Sequence, residues 1–138
     1  MANQENWMVR SAGIILPASS LPSKYGIGSF GKAAKDWVDF LSAAHQRFWQ
    51  VLPLGPISFG NSPYQSYSAF AGEPLYIDLD LLCDEGLLKE KKLKQIDWGK
   101  APAKTEYDQL KKERRSLVKK AFANFNKPKI LSSYRIKN

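Results

Sequence analysis

Groups able to do acid–base, thiol or metal chemistry are scarce in this chain of 138 residues. It has one cysteine, Cys83, which excludes an intramolecular disulfide. Cys83 follows Leu81-Leu82 at the head of an expected short helix and reads as a structural thiol rather than a nucleophile. The one histidine, His45, has no cysteine or carboxylate at ligand spacing, so no metal site is expected. No apolar run reaches the roughly 18 residues of a membrane span. Glu5 and Trp7 stand where a signal peptide needs a basic start and an apolar core. A soluble cytoplasmic protein with no membrane partner is the expectation. A phosphate-binding glycine loop is missing too, because Gly26-Ile27-Gly28 with Gly31 lacks the spacing.

The formal net charge of +8 suggests nucleic-acid binding until it is divided along the chain. Residues 1–82 hold five Lys/Arg against six Asp/Glu, whereas residues 83–138 hold sixteen against seven. The positive charge is therefore a property of the C-terminal part, where it reads as the solvated face of a helix, and no nucleic-acid partner is expected. The length suits one ordinary core, since domains of about 100–150 residues are commonest. It is too short for a complete (β/α)8 barrel of about 250 residues.

Ser11–Leu16 is short, apolar and closed by Pro17, as a strand would be. A loop over residues 18–28 follows, and Ser29 suits a helix N-cap. Ala33, Trp37, Phe40, Leu41 and Ala44 then share one helical face, opposite Lys32, Lys35, Asp36 and Asp39. His45 is expected at the helix end, where positive φ is favoured and His tolerates it. A second apolar strand over 47–52 completes a strand–helix–strand unit, with two parallel strands and a right-handed crossover. The fold class is α/β, and this unit is the repeat of a barrel or a doubly wound sheet.

Residues 74–82 are dense in leucine and should be core. Asp78 and Asp80 within them read as a turn and a cap rather than a catalytic pair. Asp84-Glu85-Gly86 is a turn, and the Lys-rich stretch 89–104 reads as a surface excursion. A longer helix is expected from an N-cap at Thr105 to about Phe125. Its apolar face would carry Tyr107, Leu110, Leu117, Val118, Ala121, Phe122 and Phe125. Lys111, Lys112, Arg114, Arg115, Lys119 and Lys120 would cover the solvated remainder.

The most informative stretch is Trp49-Gln50-Val51-Leu52-Pro53-Leu54-Gly55-Pro56, with Ser62-Pro63-Tyr64-Gln65-Ser66-Tyr67-Ser68-Ala69-Phe70-Ala71-Gly72 close behind it. A buried strand that delivers a binding loop at its C-terminal end has this composition. Ser and Gln offer hydroxyl and amide partners for neutral polyols, and Tyr rings pack on the C–H faces of sugars. The loop is uncharged between Asn61 and Ser68, which favours a carbohydrate over a phosphate or nucleic acid. Glycoside chemistry needs two carboxyl groups, about 5–5.5 Å apart for retention or 6.5–9.5 Å for inversion. No pair in the first 82 residues qualifies, so no catalytic residue is assigned.

These blocks, with Ser20-Leu21-Pro22-Ser23-Lys24-Tyr25-Gly26-Ile27-Gly28 before them and Ile77-Asp78-Leu79 and Gly86-Leu87-Leu88 after, resemble the opening of the 4-α-glucanotransferases (amylomaltases). The resemblance is close from Arg10 to Leu88, weaker through Phe125 and absent to the eye over 126–138. It implies the N-terminal portion of a (β/α)8 barrel, incomplete here, comprising the first strand–helix–strand unit and the start of an insertion. Residues 1–88 would be the barrel segment with the glucan-groove loop, 89–125 a basic helical insertion and 126–138 a divergent tail, as a shifted reading frame would produce. The implied activity is transfer of α-1,4-glucan segments between acceptors through a covalent glycosyl-enzyme, without a cofactor. Ser62, Pro63, Tyr64 and Gln65 would line the donor side of the groove, Tyr64 being the main sugar contact. α-1,4-Glucans and maltooligosaccharides are the implied partners.

The family's catalytic carboxylates belong to downstream strands, so this chain alone is expected to be inactive and poorly folded. The alternative reading is a non-catalytic glucan-binding or interaction module. Two departures from the family pattern stand out. Glu73 replaces a usual Asn beside the loop, and His45 replaces a usual Gly at the helix end.

Overall fold

The computed structural model describes residues 10–99 and 104–126. The readings placed on residues 1–9 and 127–138 lie outside the described residues. In chain order the elements are β1 (Gly13–Ile15), α1 (Lys32–Ala43), β2 (Phe48–Gln50), α2 (Leu79–Asp84), α3 (Glu90–Leu93) and α4 (Tyr107–Phe125). Single 3-10 turns at Ala18–Ser20, Phe59–Asn61 and Pro74–Tyr76 punctuate the connections.

Strands β1 and β2 pair in parallel, with Gly13 opposite Phe48, Ile14 opposite Trp49 and Ile15 opposite Gln50. The pairing extends through Arg47 N–H to Ala12 O (2.9 Å) and Leu16 N–H to Gln50 O (3.0 Å). The expected strand–helix–strand unit is therefore present, with both strands shorter than their apolar runs. Gly13 suits the close approach, because a Cβ there would lie 2.6 Å from Phe48 O. The Trp49 indole N–H donates to Leu16 O at 2.8 Å and ties the two strand ends together.

The strands are not buried as expected: Ile15 is 63% exposed and Phe48 55%. Parallel strands become core when other elements cover both faces. Here helix α1 packs on β2 and leaves much of the sheet surface open.

Ser29 does not cap α1. Gly31 takes the N-cap position with no side-chain cap, and Ser29 Oγ donates instead to Asp78 Oδ2 at 2.7 Å. A Cβ on Gly31 would lie 2.0 Å from that same oxygen, so glycine is what lets the Asp78 carboxylate close on the helix start. Leu41 is buried as expected, but Ala34 joins it, while Phe40 is exposed and stacks on Trp37 at 5.4 Å. On the solvent face Lys32 and Asp36 pair at 2.6 Å. His45 follows the helix with φ 56°, in the left-handed conformation expected of it.

The core lies away from the sheet, in two adjoining clusters. One gathers Tyr25, Leu79, Leu87, Leu88, Leu93, Leu117 and Ala121; the other gathers Ile27, Ile57, Leu75 and Leu110. The leucine-rich segment 74–82 is core, as its composition suggests, but as a 3-10 turn followed by α2. Asp78 is the N-cap of α2, its Oδ1 accepting from Leu81 N–H at 3.0 Å. Cys83 sits in the last turn of α2 rather than at its head. It is half-buried, with its thiol pKa pushed up first by burial and then by the charge of Asp80.

The Lys-rich stretch after residue 88 is not a mere surface excursion. Leu93 is buried and Ile96 and Trp98 pack beside it. The Trp98 ring meets Tyr25 edge-on at 5.3 Å, and its indole N–H donates to Leu93 O at 3.0 Å. Periodicity misses this segment because four exposed lysines, Lys89, Lys91, Lys92 and Lys94, surround a single inward leucine.

Helix α4 starts at Tyr107 with Glu106, not Thr105, in the N-cap position. Its buried stripe is Leu110, Arg114, Leu117 and Ala121, and Phe122 is exposed. The assignment of Arg114 to the solvated face is thus corrected. It follows Leu110 by four residues and precedes Leu117 by three, which places it on the inward face.

Candidate functional site: the loop after strand β2

The connection from β2 to the turn at Pro74 carries the four expected sugar-facing residues. It leaves the sheet at Pro53 and reverses through Gly60 (φ 66°) and Asn61 (φ 58°), two successive left-handed residues. Asn accepts this conformation better than most non-glycine residues. An antiparallel bridge between Ile57 and Ser66 closes the loop on itself.

Inside the loop the serines cap backbone. Ser62 Oγ accepts from Tyr64 N–H at 3.3 Å, while Gln65 N–H donates to Ser62 O at 3.2 Å. Ser66 Oγ donates to Ser68 O at 2.7 Å, and Ser68 Oγ accepts from Ala71 N–H at 3.1 Å. Ser66 and Ser68 therefore act first as turn-formers. Ser62 keeps its own proton, and with it the capacity to donate to a ligand.

The aromatic side chains point outward. Tyr64 is 72% exposed, and Phe59, Tyr67 and Phe70 are also open to solvent. Ser62 and Pro63 are half-buried and Gln65 is exposed. The structure thus brings the four residues together on one open loop, as their adjacency demands. A hollow of about 640 Å³, lined in part by Ser19, Ser23, Trp98, Thr105 and Tyr107, includes none of them.

One side chain ties this loop across its ends and another holds its reversal. Glu73 is 4% exposed, and its carboxylate accepts from Ile57 N–H (2.6 Å) and Leu75 N–H (3.0 Å). Its own N–H donates to Leu54 O at 2.8 Å. The acid therefore turns inward and fastens the exit of the loop to its entrance. At the reversal, Lys111 of α4 donates from Nζ to Asn61 Oδ1 at 2.6 Å.

Behind this sits Arg114, fully buried, whose Nη2 donates to Ile77 O at 2.7 Å and Nη1 to Tyr25 O at 3.3 Å. Burial pulls its pKa down to about 10 against the opposing pull of Asp78. The Tyr25 hydroxyl donates to Asp80 Oδ1 at 2.5 Å, and Lys24 pairs with the same carboxylate at 3.1 Å. Burial first, and Asp80 second, raise the Tyr25 pKa well above its ordinary value. Asp78 and Asp80 are thus both spent on structure, and neither is placed as a nucleophile or a general acid.

Sequence reasoning missed Lys111, Arg114 and Asn61 as supports. The signals for two of them were present: the helical spacing of Arg114 between Leu110 and Leu117, and the Gly60-Asn61 pair as a left-handed reversal. The Lys111 contact spans fifty residues and had no local signal. Among the described residues, no group of three or more His, Cys, Asp or Glu side chains could hold a metal ion. No helix among them is long and apolar enough to cross a membrane.

The family model described as 4-alpha-glucanotransferase matches residues 16–136, running past residue 125, where resemblance by motif ends. The 4-alpha-glucanotransferase of Streptococcus pneumoniae serotype 4 is 49% identical over 116 residues, which is 84% of this chain and 23% of that protein. That of Aquifex aeolicus is 46% identical over 128 residues, 91% of this chain and 26% of the relative. The structure of amylomaltase from Streptococcus agalactiae in complex with acarbose superposes with a TM-score of 0.84 at 42% identity, covering 90% of this chain and 25% of that one. The chain spans about a quarter of the length of the curated relatives it matches. By the family match over most of its residues, this chain belongs to the 4-alpha-glucanotransferase family.

Proposed function

We propose that this chain supplies the donor-side sugar contact of an enzyme that transfers α-1,4-glucan segments between acceptors. Ser62, Pro63, Tyr64 and Gln65 form the sugar-facing segment. The observation that carries this reading is the exposed Tyr64 ring on a loop tied across its ends by Glu73 and held at its reversal by Lys111. A rigid exposed aromatic offers its face to the C–H surface of a pyranose at little entropic cost, and Ser62 Oγ–H and the Gln65 amide offer donors to its hydroxyls. The acarbose complex of a structure 42% identical supports a ligand of this kind.

In this reading β1, α1 and β2 are the first strand–helix–strand unit of a (β/α)8 barrel, and residues 89–125 belong to an insertion whose helix α4 meets the groove loop through Lys111. The chain binds and orients glucan. Bond cleavage, glycosyl-enzyme formation and proton transfer require two carboxyl groups that flank the scissile bond, and the acids of this chain near the loop are committed to caps and ties. The 138-residue chain alone is expected to release no glucose from maltotriose. Titration with maltoheptaose tests the binding: the wild-type chain should show saturable broadening or quenching of tyrosine signals, and Tyr64→Ala should lose it. Equal affinity in the two chains would remove Tyr64 from the groove.

A further inference from the structure

Lys111 lies far from the loop in sequence and carries none of its sugar chemistry, yet its ammonium reaches the one loop residue whose backbone is both left-handed and non-glycine. Asn61 (φ 58°) stands directly before Ser62, and Lys111 Nζ meets its side-chain oxygen at 2.6 Å in a half-buried setting. Fixing that side chain restrains the reversal from which Ser62-Pro63-Tyr64 emerges. Helix α4 can serve as the fixed point because Leu110 beside Lys111 and Arg114 one turn on are fully buried. Glu73 ties the exit of the same loop to its entrance.

We propose that Lys111 is a positioning residue for the sugar-binding loop, acting through Asn61 to hold Tyr64 in a binding-competent orientation. This rests on the glucan reading of Tyr64. It places part of the specificity of the site in the helix behind the groove rather than in the groove itself. A loop ordered before the ligand arrives binds more tightly than one that must be ordered on binding. A charge-assisted hydrogen bond is strong enough to make the difference measurable.

Hydrogen–deuterium exchange on the full chain provides a readout that needs no sugar. In Lys111→Ala the amides of residues 61, 62 and 64–66 should exchange several-fold faster, while those of α2 and the buried face of α4 keep their wild-type rates. Asn61→Gly, which keeps the left-handed backbone available, should do the same, and the double variant should be no worse than either single one, as expected when two groups act only through each other. Lys111→Arg should restore protection. Maltoheptaose affinity should fall about five- to tenfold in Lys111→Ala with an unchanged unfolding midpoint. Unchanged exchange of residues 61–66, or additive effects in the double variant, would overturn the proposal. If exchange responds as stated but the wild-type chain fails to bind maltoheptaose, the glucan reading fails and the anchor stands.

Discussion

The chain has a closed region and an open one, and they are built on different physical terms. In the closed region, residues 18–29, 73–99 and 104–126 hold the leucine clusters and a buried arginine, and three of its carboxylates tie distant segments or cap backbone: Asp78 accepts from Ser29 and Leu81, Asp80 from Tyr25, Glu73 from Ile57 and Leu75. In the open region, strands β1 and β2 and the loop after them leave Ile15, Phe48, Tyr64, Tyr67 and Phe70 to solvent. The elements that a barrel reading makes primary, the two strands, are the least buried. The segment that reads as an insertion adds Leu93, Leu110, Leu117 and Ala121 to the core and, through Lys111, a hydrogen bond to the loop after β2. The exposed loop is held by Glu73 and by Lys111 of α4 rather than by the sheet.

This contrast breaks most readily at Arg114. Arg114→Leu should cost about 3 kcal/mol, because the carbonyls of Ile77 and Tyr25 lose a charged donor inside a packed core; the urea midpoint of the chain, followed by circular dichroism, is the check. Glu73→Ala should cost about 2 kcal/mol by stranding the buried N–H groups of Ile57 and Leu75. It should also release the loop, so that Tyr64 becomes more mobile by NMR relaxation while α4 does not. An equal loosening of α4 would mean that the two regions are one cooperative unit.

Tyr25→Phe probes the closed region with a smaller effect, about 1–2 kcal/mol for the lost hydrogen bond to Asp80. Its pH dependence has a definite sign. The folded-state pKa of Tyr25 is raised by burial and by Asp80, so its contribution is complete below the ordinary tyrosine value of 10.0 and is lost as pH rises through the raised folded value. The stability gap between wild type and Tyr25→Phe should therefore be flat below pH 10 and narrow above it. The smallest effect belongs to the open region: Phe48→Thr, on an exposed strand face, should change stability by no more than about 0.5 kcal/mol. A loss near that of Glu73→Ala would show that the sheet is better covered than its exposure indicates.

Much of this architecture was legible in the residues. Two proline-closed apolar runs separated by an amphipathic stretch gave the parallel pair, and His45 marked the helix end through its tolerance of positive φ. The crowded loop Ser62–Gln65 stood out because its composition serves turns and polyols alike. What was not legible depends on contacts between distant segments. Ser29 lost its capping role to Gly31 because Asp78, almost fifty residues later, takes its hydroxyl. Leu93 and Trp98 were hidden among lysines because a short helix with one inward residue leaves no period to read. Arg114 was grouped with the solvated cations by its charge, although its spacing put it in the stripe. Glu73 stood out as an added charge, but only the fold shows that it faces inward.

Native-state hydrogen exchange across the whole chain tests most directly the claim that a closed region presents an open one. The account predicts the slowest exchange in α2 and in the buried turns of α4, around Leu117 and Ala121. Faster exchange should appear in the β1–β2 pairing and in residues 61–66. Amides of β1 and β2 that exchange as slowly as those of α4 would contradict it.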